Sequence, residues 1–493
     1  MAEYLHGTRV IYNENDNGSA AELSRAMVFV GTAPVQTIKG GAANVNKPVV
    51  VHGWDDAVAA FGYSDDWAKF SLCEVMAHYF RDNAAGEAVF INVLDMTKHL
   101  TSSASTATVS IGTDGKTATI ANAQLIYMDG LTVTDYTEGT DYTKEYDRAT
   151  GNLILKSTGS NWGSNVSSIS VSYKSVDITT LTNADVIGST DNMGTNTGLY
   201  AVKNVYQMAK RIPALLCAPG FSETPAIHTA MLSVSRNING HWDAVVFADM
   251  PIIDNSTAVT LGTAYTWKKA NGYTGKNEKV FFPLAKGTDG KTYHLSTLAA
   301  TNMRKLLNDA GDIPYQSVSN TGCAIISNLY LGSGTENRVY DDTTINAYLD
   351  KFGICSACYH GGQWVLWGAH TAEYDQENES EVNVADTNVM MMFYLGNDFQ
   401  VRHAEDIDKP KTPNDMEALA SYEQARLDAL VSNGMLSYGK SYINGKLLGR
   451  SDIVRGDHSL CFDITPVPLT KSLTLYLNRT DEGYEAIYTQ YSA

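Results

Sequence analysis

Met27-Val28-Phe29-Val30-Gly31-Thr32-Ala33-Pro34 reads as a β-branched strand, and its pairing with the next two elements decides the fold class. Residues 67–82 predict a helix, since Trp67, Phe70, Cys73, Ala77 and Phe80 recur at helical spacing. Ala88-Val89-Phe90-Ile91-Asn92-Val93-Leu94 then reads as a second strand. Strand, helix, strand is an α/β unit.

Upstream, the strand is preceded by a polar, glycine-containing arm, Met1 to Ala20. A short β-type run lies inside it, Thr8-Arg9-Val10-Ile11-Tyr12. The other end has a matching feature, Leu473-Thr474-Leu475-Tyr476-Leu477, followed by a tyrosine-rich tail. Such arms hold too few apolar residues for a core of their own. Their strands need a partner edge, and a neighbouring copy supplies one by strand addition. These ten residues are the expected inter-subunit linking sites.

At 493 residues the chain is too long for one ordinary core, and three or four domains are expected. After the arm (1–20), the first part of an α/β core spans 21–96. From Thr97 to Thr182 the composition turns to Ser, Thr and Gly, with short β runs such as Ala107–Ile111, Gln124–Met128, Asn152–Leu155 and Ile169–Tyr173. Asp114-Gly115, Asp129-Gly130 and Thr150-Gly151 are hairpin-type turns between them. An inserted all-β, sandwich-like domain is expected at 97–182. Alternation resumes over 183–380: a helix from Leu199 to Lys210, a strand Ala214–Ala218, and a helix capped by Thr224 with Pro225 at its first position. That helix is expected to run to Gly240. A strand Ala244–Ala248, a helix Leu295–Asp309, and strands Cys323–Ile326 and Gln363–Trp367 come next. The last part, 381–493, starts a helix at Thr412-Pro413-Asn414-Asp415 with a capping-box pattern and an apolar face of Met416, Leu419, Leu427, Leu430 and Val431. Strands Leu460–Ile464 and Ser472–Leu477 complete an α+β unit.

Composition narrows the function. Hydrophobic residues make up 44%, normal for a folded chain, and the formal charge is −18. That balance excludes a nucleic-acid groove, which runs on clustered Lys and Arg, and it suits a soluble, abundant subunit. No run approaches the apolar length of a membrane span, and the first thirty residues lack a secretion-signal pattern. Six cysteines, several in apolar runs, predict reduced thiols.

Catalytic signals do not close. Cys355-Ser356-Ala357-Cys358 has redox or zinc spacing, with His360 two residues on, but no second ligand pair completes a tetrahedral site. Gly332-Ser333-Gly334 is not a dinucleotide fingerprint, and no P-loop, Gly-x-Ser-x-Gly or His-Glu-x-x-His occurs. The acidic series Glu373, Asp375, Glu377, Glu379 and Glu381 reads as a solvated linker. No cofactor or metal and no catalytic residue is expected. An α/β enzyme with an accessory β-rich binding domain, or a secreted adhesin, are the alternatives kept open.

Taken in order, several elements resemble the contractile-tail sheath protein family of bacteriophages and related injection particles. They are Tyr4-Leu5-His6-Gly7-Thr8-Arg9-Val10, the Ala26–Pro34 strand, Pro48–Val51 with Ala60-Phe61-Gly62, and Leu216-Cys217-Ala218-Pro219-Gly220. Val280-Phe281-Phe282-Pro283 through Leu295-Ser296, Trp367-Gly368-Ala369-His370-Thr371, and Gly445 through Phe462-Asp463-Ile464-Thr465-Pro466 continue the series. His370 stands where that family usually has Arg. The resemblance implies a sheath-like α/β core with an inserted outer β domain and linking arms at both ends. It implies six-membered rings stacked helically around an inner tail tube protein, with baseplate and tail terminator proteins as further partners. It places the chain in the tail of a virion or contractile particle, made in the bacterial host cytoplasm. The terminal helix Thr412–Ser432 would then meet the tube through polar residues such as Glu417, Gln424 and Asp428.

Overall fold

The computed structural model describes residues 25–159, 162–163, 166–335, 338, 340–376, 385–443 and 456–492. The linking run Thr8–Tyr12 lies outside them. The chain divides into two compact units after Lys411.

The larger unit is built on one eight-stranded sheet. Its strands lie in the order Gln363–Trp367, Ile354–His360, Glu278–Phe281, Val245–Asp249, Ile212–Cys217, Arg25–Gly31, Ala88–Asn92 and Pro48–Val51. The six inner strands pair in parallel, and each edge strand is antiparallel to its neighbour. Parallel strands with helices against them are buried on both sides and therefore read as continuous apolar runs. That is why Met27–Gly31 and Ala88–Asn92 are wholly buried. Gly31 sits where the backbone passes Ser71 so closely that a Cβ would strike its Oγ.

Two differences from the sequence reading concern domains. The α/β stretches 21–96 and 183–380 share this single sheet, because Arg25–Gly31 pairs with Ile212–Cys217 across the intervening residues. The helix Asp386–Arg402, expected in the terminal domain, belongs to this unit: it buries Val389, Met390, Met391 and Leu395, and Asn397 donates to the carbonyl of Asp243 at 2.8 Å.

Between Ser105 and Tyr173, six strands form two three-stranded antiparallel sheets around a separate apolar cluster that includes Leu155, Trp162 and Val171. The stretch leaves and returns where Leu100 bridges to Val176 and the Thr101 N–H donates to Ser175, and it is also tied to the core through Gln36, whose amide donates to the Gln124 carbonyl and whose carbonyl accepts the Met128 N–H. The expected strand Gln124–Met128 is instead a turn. Asn122 adopts a left-handed φ of 54°, and a 3-10 turn runs over Ala123–Leu125. Ile126 and Met128 still enter the local core, which is why the run looked strand-like.

Other expectations hold or shift by local chemistry. Leu295–Asp309 and Gln363–Trp367 form over the expected bounds. The helix expected at 67–82 begins only at Leu72 and passes into a π-type turn over Met76–Asp82. The helix expected at 199–210 is a 3-10 turn followed by a π-type turn, stopped by Lys210 at φ 54°. The helix starting at Pro225 ends at Val234 and does not reach Gly240, because Asn237 and Asn239 take positive φ and Ile238 bridges to Trp242. The strand expected at Cys323–Ile326 lies at Ile326–Tyr330.

In the smaller unit, the helix Pro413–Ser432 is capped by Thr412, whose hydroxyl and the Asp415 carboxylate satisfy each other's backbone N–H groups. It packs on a two-stranded antiparallel sheet, Leu436–Tyr442 with Cys461–Pro466. Gly439 makes that approach possible: a Cβ there would come within 2.9 Å of the Leu427 Cβ. A second helix, Glu482–Tyr491, closes the described chain. No described helix is long and apolar enough to cross a membrane.

Candidate assembly surface

An open α/β sheet binds ligands outside the carboxyl ends of its strands, where the strand order reverses. Here that point lies between Arg25–Gly31 and Ile212–Cys217. This chain's own side chains occupy it. Asp249 accepts the Ser296 N–H at 3.0 Å and the Ser296 hydroxyl, so a neighbouring strand caps the helix Leu295–Asp309. Burial, only partly offset by His294 and the Ser296 hydrogen bonds, pushes the Asp249 carboxyl up to about 7. Burial acts to lower the His294 pKa, but Glu74 at 2.6 Å and Glu223 at 3.3 Å hold it well above the ordinary imidazole value. The groups are spent on one another and on a helix start.

The cysteine pair gives the same answer. Cys355 and Cys358 are both buried in the strand Ile354–His360. Three residues apart on a strand, they point to opposite faces. Burial pushes their thiols up to about 11 and about 12, away from the range of an activated thiolate. Among the described residues, no group of three His, Cys, Asp or Glu side chains is placed to hold a metal ion. His370 stacks on Tyr374 with ring centroids 3.8 Å apart. Asp375, expected in a solvated linker, accepts the Tyr265 hydroxyl at 2.6 Å; residues 377–384 of that acidic stretch lie outside the described residues.

The surface features lie at the ends of the chain. Arg25, where the described chain begins, is clamped from three sides. Its guanidinium reaches Asp398 at 3.2 Å and lies 4.1 Å from the Tyr394 ring centre, and its carbonyl accepts Arg304 at 3.0 Å. Arg25 is therefore held in place by residues far along the chain. Sequence reading missed this clamp, because its partners lie far off along the chain.

At the other end, Leu473–Leu477 makes no strand. Leu473, Leu475, Tyr476 and Leu477 all stand in solvent. Before this run in sequence lies the two-stranded sheet that the helix Pro413–Ser432 packs on. Of the three polar helix residues singled out from sequence, Glu417 and Asp428 are exposed. Gln424 is turned inward. Its amide donates to the Gly439 carbonyl at 3.0 Å and accepts the Ser441 N–H at 2.8 Å, much as an added strand would. Glu423, which sequence reading left out, is fully buried beside Arg426.

No family model matches the chain. Over 254 residues it is 28% identical to the tail sheath protein of Burkholderia phage BcepMu, a match covering 51% of this chain and 50% of that protein. The chain thus spans about half the length of the curated relative it matches. Among solved structures, it is similar to the sheath complex of an extracellular contractile injection system, PVC, in the contracted state. The TM-score is 0.53 at 12% identity, over 98% of this chain and all of that one. A sheath tail protein from Desulfitobacterium hafniense matches with a TM-score of 0.50 at 11% identity, over 88% and 90% of the two chains. The likeness to contractile-tail sheath proteins is therefore present in sequence over half the chain and in fold over nearly all of it.

Proposed function

We propose that this chain is the structural subunit of a contractile tail sheath. It polymerises helically around an inner tube and shortens on triggering, driving the tube through a target cell envelope. Its role is mechanical and not enzymatic, in keeping with the sheath proteins it matches in sequence and fold.

The observation that carries this reading is the undocked C-terminal run. Leu473-Thr474-Leu475-Tyr476-Leu477 presents leucines to water and follows, in sequence, a sheet of only two strands. A strand donated to the next copy satisfies both. Because Gln424 already occupies the backbone of Leu436–Tyr442, Cys461–Pro466 is the receiving edge. Donor and acceptor are different surfaces, so the contact is heterologous; repeated, it builds a ring where the rotation closes and a helical stack where it does not. Thr8–Tyr12 provides a second donated strand, and the Arg25 clamp transmits its load to the core. Six-membered rings stacked around a tail tube protein, with baseplate and terminator proteins at the ends, are the assembly this supports. The double-sheet stretch lies on the outside, and Glu417 and Asp428 face the tube. Rigid-body rotation of subunits on these tethers shortens the sheath, inside a virion or related particle tail.

Negative-stain microscopy of the purified chain tests this. Long striated tubes are expected. A defined small oligomer at all concentrations and salt conditions would refute it.

A further inference from the structure

The terminal helix has a purpose that strand donation leaves unexplained. Tyr484, Ile487, Tyr488 and Tyr491 recur at positions i, i+3, i+4 and i+7 of Glu482–Tyr491. They therefore form one apolar face. Each of the four is more than half exposed, from 51% for Ile487 to 87% for Tyr491. An isolated helix of this length is marginal in water, so it needs a docking partner.

The two-stranded sheet offers one. Its inner face, marked by Gly439 against Leu427, is covered by the long helix. By strand alternation Tyr438, Lys440 and Tyr442 point the other way. Tyr438 is half exposed, Lys440 stands in solvent, and the Tyr442 hydroxyl donates to Asp463 at 3.3 Å. That outer face carries Tyr438 and Tyr442 beside the cross-strand pair Lys440 and Asp463, and it suits a helix with an aromatic and aliphatic stripe. Apolar stripe meets aromatic floor.

We infer that Glu482–Tyr491 docks on the outer face of the Leu436–Tyr442 and Cys461–Pro466 sheet of a second copy of this chain, locking the donated strand. The occupant is set by the tether. Only Asn478 to Asp481 separate the donated run from the helix, and four residues reach about 14 Å at most. A helix held that closely to a strand on the neighbour's Cys461–Pro466 edge lands on that neighbour's sheet and not on its own. The inference rests on the strand-donation reading above and adds a second, separable contact to it.

The test uses full-length chains carrying Cys461→Ser, which removes the partly exposed thiol on this face; the other five native cysteines are buried. Chains with Tyr438→Cys are co-assembled with tagged chains carrying Tyr488→Cys, then oxidised with copper phenanthroline. A disulfide-linked heterodimer of one tagged and one untagged chain is expected in tubes and absent from unassembled protein. Adding Tyr484→Ser and Tyr491→Ser should reduce its yield at least tenfold and lower the urea midpoint of tube disassembly, with tubes still forming. Normal tubes without the cross-link would overturn this inference and leave the sheath reading standing. So would a cross-link formed only within a single chain that carries both cysteines. Failure of the parent chain to form tubes would overturn both.

Discussion

Leu475→Pro is the perturbation whose consequence the structure lets us size. In a strand, Leu473, Leu475 and Leu477 share one face. They are 94%, 77% and 86% exposed in the single chain, so nearly all of their apolar surface remains to be buried by a neighbour. Full burial of one leucine is worth about 1.5–3 kcal/mol, and each main-chain hydrogen bond about 0.5–1.5 kcal/mol net. Proline at 475 deletes the central leucine and removes one ladder donor, and its ring restricts the strand. The combined loss is about 2–4 kcal/mol per link. At about 1.4 kcal/mol per tenfold, the critical concentration for tube formation should rise roughly 30- to 1,000-fold. No core residue is touched, so monomer circular dichroism and melting should be unchanged. The assay is sedimentation of tubes across a concentration series, with Leu475→Ile as the control that keeps the burial. A critical concentration that barely moves from the parent value, with folding intact, would refute the donated strand as the link.

Four further outcomes are expected from the same geometry. Deleting Met1–Ala20 removes a donor strand and nothing from the described core, so a folded chain unable to form tubes is expected by microscopy; tubes of normal length would sink the N-terminal link. Replacing residues 102–174 with a short Gly/Ser linker cuts beyond the Leu100–Val176 bridge and should leave tube formation intact; a soluble, folded deletion variant that never assembles would count against an outward-facing role. Reversing the charges at Glu417 and Asp428 should weaken co-assembly with the tube protein at least several-fold, while sheath self-assembly persists, read by co-sedimentation; unchanged co-assembly would mean the helix faces elsewhere. Finally, Asp249 has a folded pKa of about 7, raised above its unfolded value. Its contribution is therefore fully present below about pH 4 and is lost as pH rises through about 7. Asp249→Asn should flatten the pH dependence of the urea midpoint across that window, and an unchanged slope would show that Asp249 is not the group responsible.

Elements whose signals are local are legible in the amino-acid order itself. Met27–Gly31 and Ala88–Asn92 announce themselves as apolar runs because buried parallel strands have no polar face. Leu295–Asp309 and the capped helix after Thr412 are written in spacing and caps. Leu473–Leu477 also reads as a strand from its residue types, yet it forms none in the single chain, because strand pairing depends on an edge that local sequence does not supply. Everything else rests on pairings between residues far apart in the chain, which no local signal encodes. The parallel register of Arg25–Gly31 against Ile212–Cys217 merges two apparent domains into one sheet. The Arg25 clamp draws on residues 304, 394 and 398. The inward turn of Gln424 depends on where a strand fifteen residues later lies, so the same side chain that looked free for a partner is spent on Gly439 and Ser441. Spacing along a chain reports which face a side chain takes on its own helix; it does not report what the fold brings against that face.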